Sequence, residues 1–262
     1  MVNNFTANQI SYYRISQESP SATVNRDNCH DCFEIIYTES AHGFYRVEGH
    51  EFSIAPRTII LLKPFAYHLV EIDSDNFEIV SLKFNKDILS AKISEKLDNL
   101  CNEEWGRYYS PSSISADVTS VFDRFDRVHS LDSESAEEFS IALLSEIIIL
   151  LSISDSEAMT VVDSELGARV AEYLNRNIER NLSLDKLARH FFVSKYHLCR
   201  AFKSYSGISV HSYINHKRIM YAKQLIDSGL SASGAAEKVG FGDYSAFYRA
   251  YVKILGKSPT SN

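Results

Sequence analysis

The chain has 262 residues, with 27 Lys+Arg against 34 Asp+Glu, a formal net charge of −7, 45% apolar residues and only 5 Pro. That composition excludes wholesale disorder, and the length suits two domains. The charge is unevenly divided: residues 1–167 carry 12 basic and 28 acidic side chains, a net −16, whereas residues 168–262 carry 15 and 6, a net +9. Such asymmetry points to a nucleic-acid or membrane partner for the basic third.

Met1 to Gln17 is polar and lacks the basic-then-apolar pattern of a secretion leader. Cys29, Cys32, Cys101 and Cys199 are too few and too scattered for a secreted disulfide framework. Cys29-His30-Asp31-Cys32 has no second ligand pair at zinc spacing nearby, so reduced thiols in a cytoplasmic protein are expected, with no metal. From residue 29 to 84, short runs rich in β-branched and aromatic residues predict six strands: Cys32–Thr38, Gly43–Val47, Glu51–Ile54, Thr58–Leu62, Tyr67–Ile72 and Phe77–Phe84. Their spacing of roughly 8–12 residues predicts a sandwich or small barrel. The period then changes. Val118, Val121, Phe122, Phe125 and Val128 mark an amphipathic helix starting near Ser115, and Ser133–Ile153 a second, more apolar one. These two helices serve either core packing or a dimer surface. The run Ile141–Ile153 contains Ser145, Glu146 and Ser152 and falls short of the roughly 18 residues that a membrane helix needs. A linker is expected over 155–166, separating residues 1–154 from a domain at 167–262.

The basic third contains a repeat. Residues 183–207 and 231–256 align at an offset of 48, from Ser183/Ser231 to Ala188/Ala236, and then at 49, from Leu198/Phe247 to Gly207/Gly256. One residue is inserted between, at the turn containing Gly240-Phe241. Each unit reads as a helix-turn-helix: Ser183 and Ser194 cap the helices of the first, Ser231 and Asp243 those of the second. Leu198, Ala201, Phe202 and Tyr205 should face inward, as should Phe247, Ala250, Tyr251 and Ile254. The outward faces, on helices near 194–206 and 243–255, hold Lys195, Tyr196, Cys199, Arg200 and Lys203, then Tyr244, Ser245, Tyr248, Arg249 and Lys253. An Arg one turn into such a helix reaches guanine O6 and N7 in the major groove, while hydroxyls and Lys bind phosphate. Ser209 to Asp227 predicts one connecting helix of roughly 29 Å, compatible with the spacing of about 34 Å between successive major grooves. Lys217, Arg218 and Lys223 on it, with Ser194, Lys203 and Lys253, are candidate phosphate contacts.

Residues Gly167 to Pro259 resemble the two-motif DNA-binding domain of AraC/XylS-type bacterial transcription regulators. The matching residues are Leu187-Ala188, Val193-Ser194, Tyr196, Leu198, Arg200, Phe202 and Gly207, then Ile219, Ala222, Leu225, Ala235-Ala236, Val239-Gly240-Phe241, Tyr244, Phe247, Arg249, Tyr251, Gly256 and Ser258-Pro259. The resemblance implies that Lys195, Tyr196, Cys199, Arg200, Tyr244, Ser245, Tyr248 and Arg249 face bases, usually in an activator. Gly242 stands where that family has a small polar residue, and no Tyr-Arg pair follows Pro259. The N-terminal half resembles the same family's cupin-like effector domain through His30-x3-Glu34-Ile35-Ile36, Gly43–Ile54 and Leu62–His68. Together these predict an α+β two-domain protein: a cupin-like β-barrel with dimerisation or packing helices, then an all-α domain with two helix-turn-helix motifs.

The resemblance implies double-stranded promoter DNA and RNA polymerase as partners, with a small-molecule effector and a homodimer as further candidates and no cofactor. Glu34, Tyr45 and His68 are candidate effector-lining residues. A cupin metal enzyme would need a His-x-His pair, absent among His30, His42, His50 and His68. An alkylation-repair protein with a similar DNA-binding domain would need a cysteine-rich zinc centre. A non-enzymatic regulator is the expectation.

Overall fold

A computed structural model describes residues 3–7, 9–18, 26–74, 76–101, 103, 105–154 and 165–260. The chain divides into two compact units, one of Met1–Tyr45 with Glu51–Thr160, the other of Arg46–His50 with Val161–Asn262.

In the first unit, strands β1 (Asn3–Ala7), β2 (Ile10–Glu18), β9 (Asn76–Phe84), β4 (Phe33–Thr38), β7 (Thr58–Leu62) and β10 (Gly106–Tyr109) form a six-stranded sheet in the order β1-β2-β9-β4-β7-β10. A second sheet has the order β3 (Arg26–Asn28), β8 (His68–Ile72), β5 (Gly43–Val47), β6 (His50–Ile54). The expected barrel is therefore two sheets; among the described residues no ladder joins them into a closed cylinder. Among the described residues, four strands lie outside the six expected. In β2 the buried Ile10 and Tyr12 are followed at the next inward position by Arg14, which breaks the apolar alternation that reveals a half-buried strand. Arg14 is tolerated there because it bonds Glu39, Glu78 (2.7 Å) and Asp126 (3.0 Å).

Strand β4 pairs antiparallel with both β7 and β9, placing Ile35 opposite Leu61 and Leu82. The period of two turns Phe33, Ile35 and Tyr37 into one apolar core with α1 (Ala91–Leu100), α2 (Ala116–Phe125) and α3 (Ser133–Ser152). Tyr12 stacks on Phe125 and Tyr37 on Phe122, with ring centroids 5.4 and 4.6 Å apart. The alternate residue of β4, Glu34, faces away from the helices. Helix α1 escaped the sequence reading because only Leu97 and Leu100 of its ten residues are buried. In α3, Ala136, Ser140, Leu143, Leu144, Ile147, Ile148 and Leu151 make the core stripe, whereas Ile149 and the C-cap residue Ile153 stay exposed.

The described C-terminal residues of the second unit are helical: α4 (Glu165–Arg176), α5 (Leu184–His190), α6 (Lys195–Ser206), α7 (Val210–Asp227), α8 (Ala232–Lys238) and α9 (Tyr244–Leu255). Residues 155–164 of the expected linker lie outside the described residues. No helix among the described residues is long and apolar enough to cross a membrane.

Candidate nucleic-acid interface and a buried polar cluster

The repeat is built as two copies of one local solution. The Ser183 hydroxyl accepts from Lys186 N (3.3 Å) to start α5, and that of Ser194 from His197 N (3.1 Å) to start α6. Ser231 accepts from Gly234 N (3.1 Å), and the Asp243 carboxylate from both Ser245 N (3.2 Å) and Ala246 N (2.9 Å), to start α8 and α9. Leu187, Ala188, Leu198 and Phe202 are buried in the first copy, and Ala235, Ala236, Phe247 and Tyr251 in the second. Ala201, Tyr205, Ala250 and Ile254 are half-buried.

Both turns close with the same hydrogen bonds. Phe192 N and Val193 N reach Arg189 O and Ala188 O, as Gly240 N and Phe241 N reach Glu237 O and Ala236 O. Phe192 therefore corresponds to Gly240, and the inserted residue is Gly242. Both occupy the left-handed region, at φ 55° and 86°. Gly240 is required there: a Cβ would lie 2.6 Å from Glu179 O and 2.8 Å from Arg218 Nη2. Phe192 bears the backbone cost with its ring 95% exposed. Phe192→Gly should raise the stability of the helical unit by roughly 0.5–1 kcal/mol, read as a higher urea midpoint at unchanged slope.

Lys195, Tyr196, Arg200 and Lys203 on α6, and Tyr244, Ser245, Tyr248, Arg249 and Lys253 on α9, are all exposed, with Cys199 half-buried. Arg200 and Arg249 occupy the same slot, six positions beyond their caps. Lys195 Nζ lies 2.9 Å from Asp185 Oδ1, an exposed pair that costs little to exchange. The connecting helix corrects one expectation. Arg218 is buried, and its guanidinium donates to Ile178 O (3.0 Å), Gly240 O (2.9 Å) and Arg180 O (2.5 Å). With three N–H groups committed to backbone carbonyls, Arg218 is a structural tie. Burial also lowers its pKa. Lys217 is half-buried, its Nζ 5.4 Å from the Tyr213 ring centroid, and Lys223 pairs with Asp227 at 2.6 Å.

In the first unit, the structure gathers Glu34, Tyr45 and His68, which are 4%, 1% and 2% exposed. Tyr45 and His68 stack with centroids 5.8 Å apart. The sequence reading missed three further members: His30, Ser81 and Lys83. Antiparallel pairing sets Lys83 opposite Glu34 and Ser81 two residues along the same face of β9. Glu34 Oε1 accepts from Ser81 Oγ (2.5 Å) and lies 3.8 Å from Lys83 Nζ. Its Oε2 lies 3.4 Å from His68 Nε2 and 3.5 Å from His30 Nε2. Burial opposes ionisation of Glu34, but His68, His30, Lys83 and the Ser81 hydroxyl outweigh it and hold the carboxyl below its usual range. Burial pushes His30 down to about 4, despite Glu34, so its ring is neutral at pH 7. It also raises the Tyr45 phenol well above its usual value.

A strand-rich unit joined to tandem helix-turn-helix motifs, each with a basic outward helix face, defines a DNA-binding regulator with a separate N-terminal module. The AraC-like ligand binding domain profile matches residues 9–151, and the helix-turn-helix domain profile matches 187–261. The chain belongs to the AraC family and is an AraC-type DNA-binding transcription regulator. It is 27% identical over 222 residues to the HTH-type transcriptional regulator YbfI of Bacillus subtilis, covering 82% of this chain and 78% of that one. With the HTH-type transcriptional activator RhaS of Salmonella schwarzengrund it shares 24% identity over 238 residues, covering 88% and 84%. Among solved structures it is similar to fatty-acid-bound ToxT of Vibrio cholerae, at 15% identity, TM-score 0.41 and coverage of 97% and 94%. The family match and the names of the YbfI and RhaS relatives indicate a transcription regulator and lend no support to the enzyme alternative.

Proposed function

We propose that this regulator activates transcription by reading two successive major grooves of promoter DNA through the helices near 194–206 and 243–255. Lys195, Tyr196, Cys199 and Arg200 face bases in one groove, and Tyr244, Ser245, Tyr248 and Arg249 in the other. Ser194, Lys203, Lys217, Lys223 and Lys253 meet phosphates. Residues 167–262 form the DNA-binding domain, 155–166 the linker, and 1–154 a domain for effector binding and dimerisation, with Glu34, Tyr45 and His68 as its ligand groups. The protein works in the cytoplasm, with RNA polymerase as a partner, and catalyses no reaction. The activator name of its RhaS relatives supports the direction of control. One observation carries the DNA assignment: two units capped at matching positions and closed by the same turn bonds expose Arg200 and Arg249 in the same slot.

Footprinting of the full chain on promoter fragments, with genome-wide occupancy in cells, tests this reading. A protected site spanning two adjacent helical turns on one DNA face is expected; uniform coverage without sequence preference would sink it. Lys203→Ala and Lys253→Ala should each weaken binding to every sequence alike and lower the salt slope by about one.

A further inference from the structure

Glu34, Tyr45 and His68 are almost wholly buried, which suits an ion better than an organic effector. The hydrogen-bond chemistry points the same way. The Ala66 carbonyl can only accept, so His68 Nδ1, 3.0 Å away, carries a hydrogen, and it is Nε2 that faces Glu34 and bears the lone pair in the neutral ring. The Lys83 ammonium can only donate, so His30 Nε2, 2.8 Å from it, also presents a lone pair. Glu34 Oε2 lies close to both nitrogens and accepts no hydrogen bond, although it is buried. Glu34 Oε2, His30 Nε2 and His68 Nε2 thus converge on one another.

We propose that His30, Glu34 and His68 bind a divalent transition-metal ion of the Zn2+, Fe2+ or Co2+ class, with Lys83 as the competing cation. At metal–ligand lengths of about 2.1 Å, tetrahedral ligand atoms stand about 3.4 Å apart. The two carboxylate–imidazole distances are 3.4 and 3.5 Å, and the three ligand atoms lie within 4.8 Å of one another. Two imidazoles and one carboxylate suit these ions and leave coordination positions for water or an exogenous group. The Ala66 carbonyl supplies the outer hydrogen bond that orients a ligating His. Lys83 is 26% exposed along its side chain, so its ammonium can move to solvent when a metal takes the His30 nitrogen. The His-x-His rule missed this site because two of its ligands meet only through folding: His68 begins β8, and Glu34 lies on β4 of the other sheet.

This assignment deepens the reading of Glu34 and His68 as ligand groups and rests on it. Full-length protein, stripped with a chelator, is titrated with Co2+ followed by visible absorption, with Zn2+ as competitor. One equivalent should bind, and His30→Ala, His68→Ala and Glu34→Gln should abolish it while circular dichroism reports a folded chain. Lys83→Met should bind Co2+ tighter by about tenfold or more, a gain that misfolding cannot produce. Absence of binding in both folded wild type and Lys83→Met overturns the site. So does stoichiometric binding indifferent to His30→Ala and His68→Ala, which would direct attention to Cys29 and Cys32. DNA binding by the same preparations is read in parallel. Its retention in a chain that binds no metal leaves the regulator reading standing, whereas its loss with metal binding intact refutes that reading alone.

Discussion

Arg200→Ala and Arg249→Ala should each cost roughly 1–3 kcal/mol at the cognate site, a loss of about 5- to 150-fold in affinity, with specificity relaxed at the base pair each one reads. Both side chains are exposed on helices whose inner faces are fixed by Leu198 and Phe202, or by Phe247 and Tyr251. Truncating them therefore removes a recognition group without touching the core. The two residues belong to separate motifs, so the double variant should show nearly additive losses. Measured against operator variants, the expected signature is a smaller gap between cognate and altered sites, with non-specific affinity falling only by the lost phosphate-range charge. Unchanged affinity in both variants would remove these helices from base readout.

Arg218→Met should act on the opposite quantity. It strips the donors from three backbone carbonyls, those of Ile178, Arg180 and Gly240, beside a buried guanidinium site. An unsatisfied buried polar group costs about 1–3 kcal/mol, and water recovers part of this, so the helical unit should lose roughly 3 kcal/mol. Chemical unfolding followed by far-ultraviolet circular dichroism checks this. Residual DNA binding, measured where the variant is still folded, should keep its salt slope. A variant of undiminished stability whose salt slope falls by about one would restore Arg218 to the phosphate contacts.

The difference between Lys203 and Arg218 shows where sequence reading stops. Both are basic residues on amphipathic helices at plausible spacing, and composition treats them alike. Lys203 is exposed in the last turn of α6, where a cation also suits the helix dipole. Arg218 meets the end of α4 and the turn after α8, two places far apart in sequence, and only folding brings their carbonyls to it. The same limit hid β2. Its buried Arg14 looks like a polar interruption until Glu39, Glu78 and Asp126 arrive from other elements.

The tandem motifs were legible because their signals are local. A Ser or Asp cap, a helix of two or three turns and a small residue at the crossing act within about a dozen residues, and the second copy repeats them in register. Even there the insertion was placed only approximately, since Gly240 and Gly242 are indistinguishable until the turn hydrogen bonds match Gly240 with Phe192. In the N-terminal unit, period and turn residues revealed strands but not whether they close. Two sheets or one barrel depends on ladders between distant segments, which no local pattern records.

By itself, the sequence determined a basic helical reader beside an acidic, strand-rich partner, because charge, caps and periodicity are properties of neighbouring residues. Tertiary structure alone decided which charged groups face solvent and which are consumed internally. It removed Arg218 from the outer surface and drew His30, Glu34 and His68 into one buried cluster. The physical reason is common to both: the desolvation of a charge is set by whatever atoms surround it, and those atoms come from anywhere in the chain.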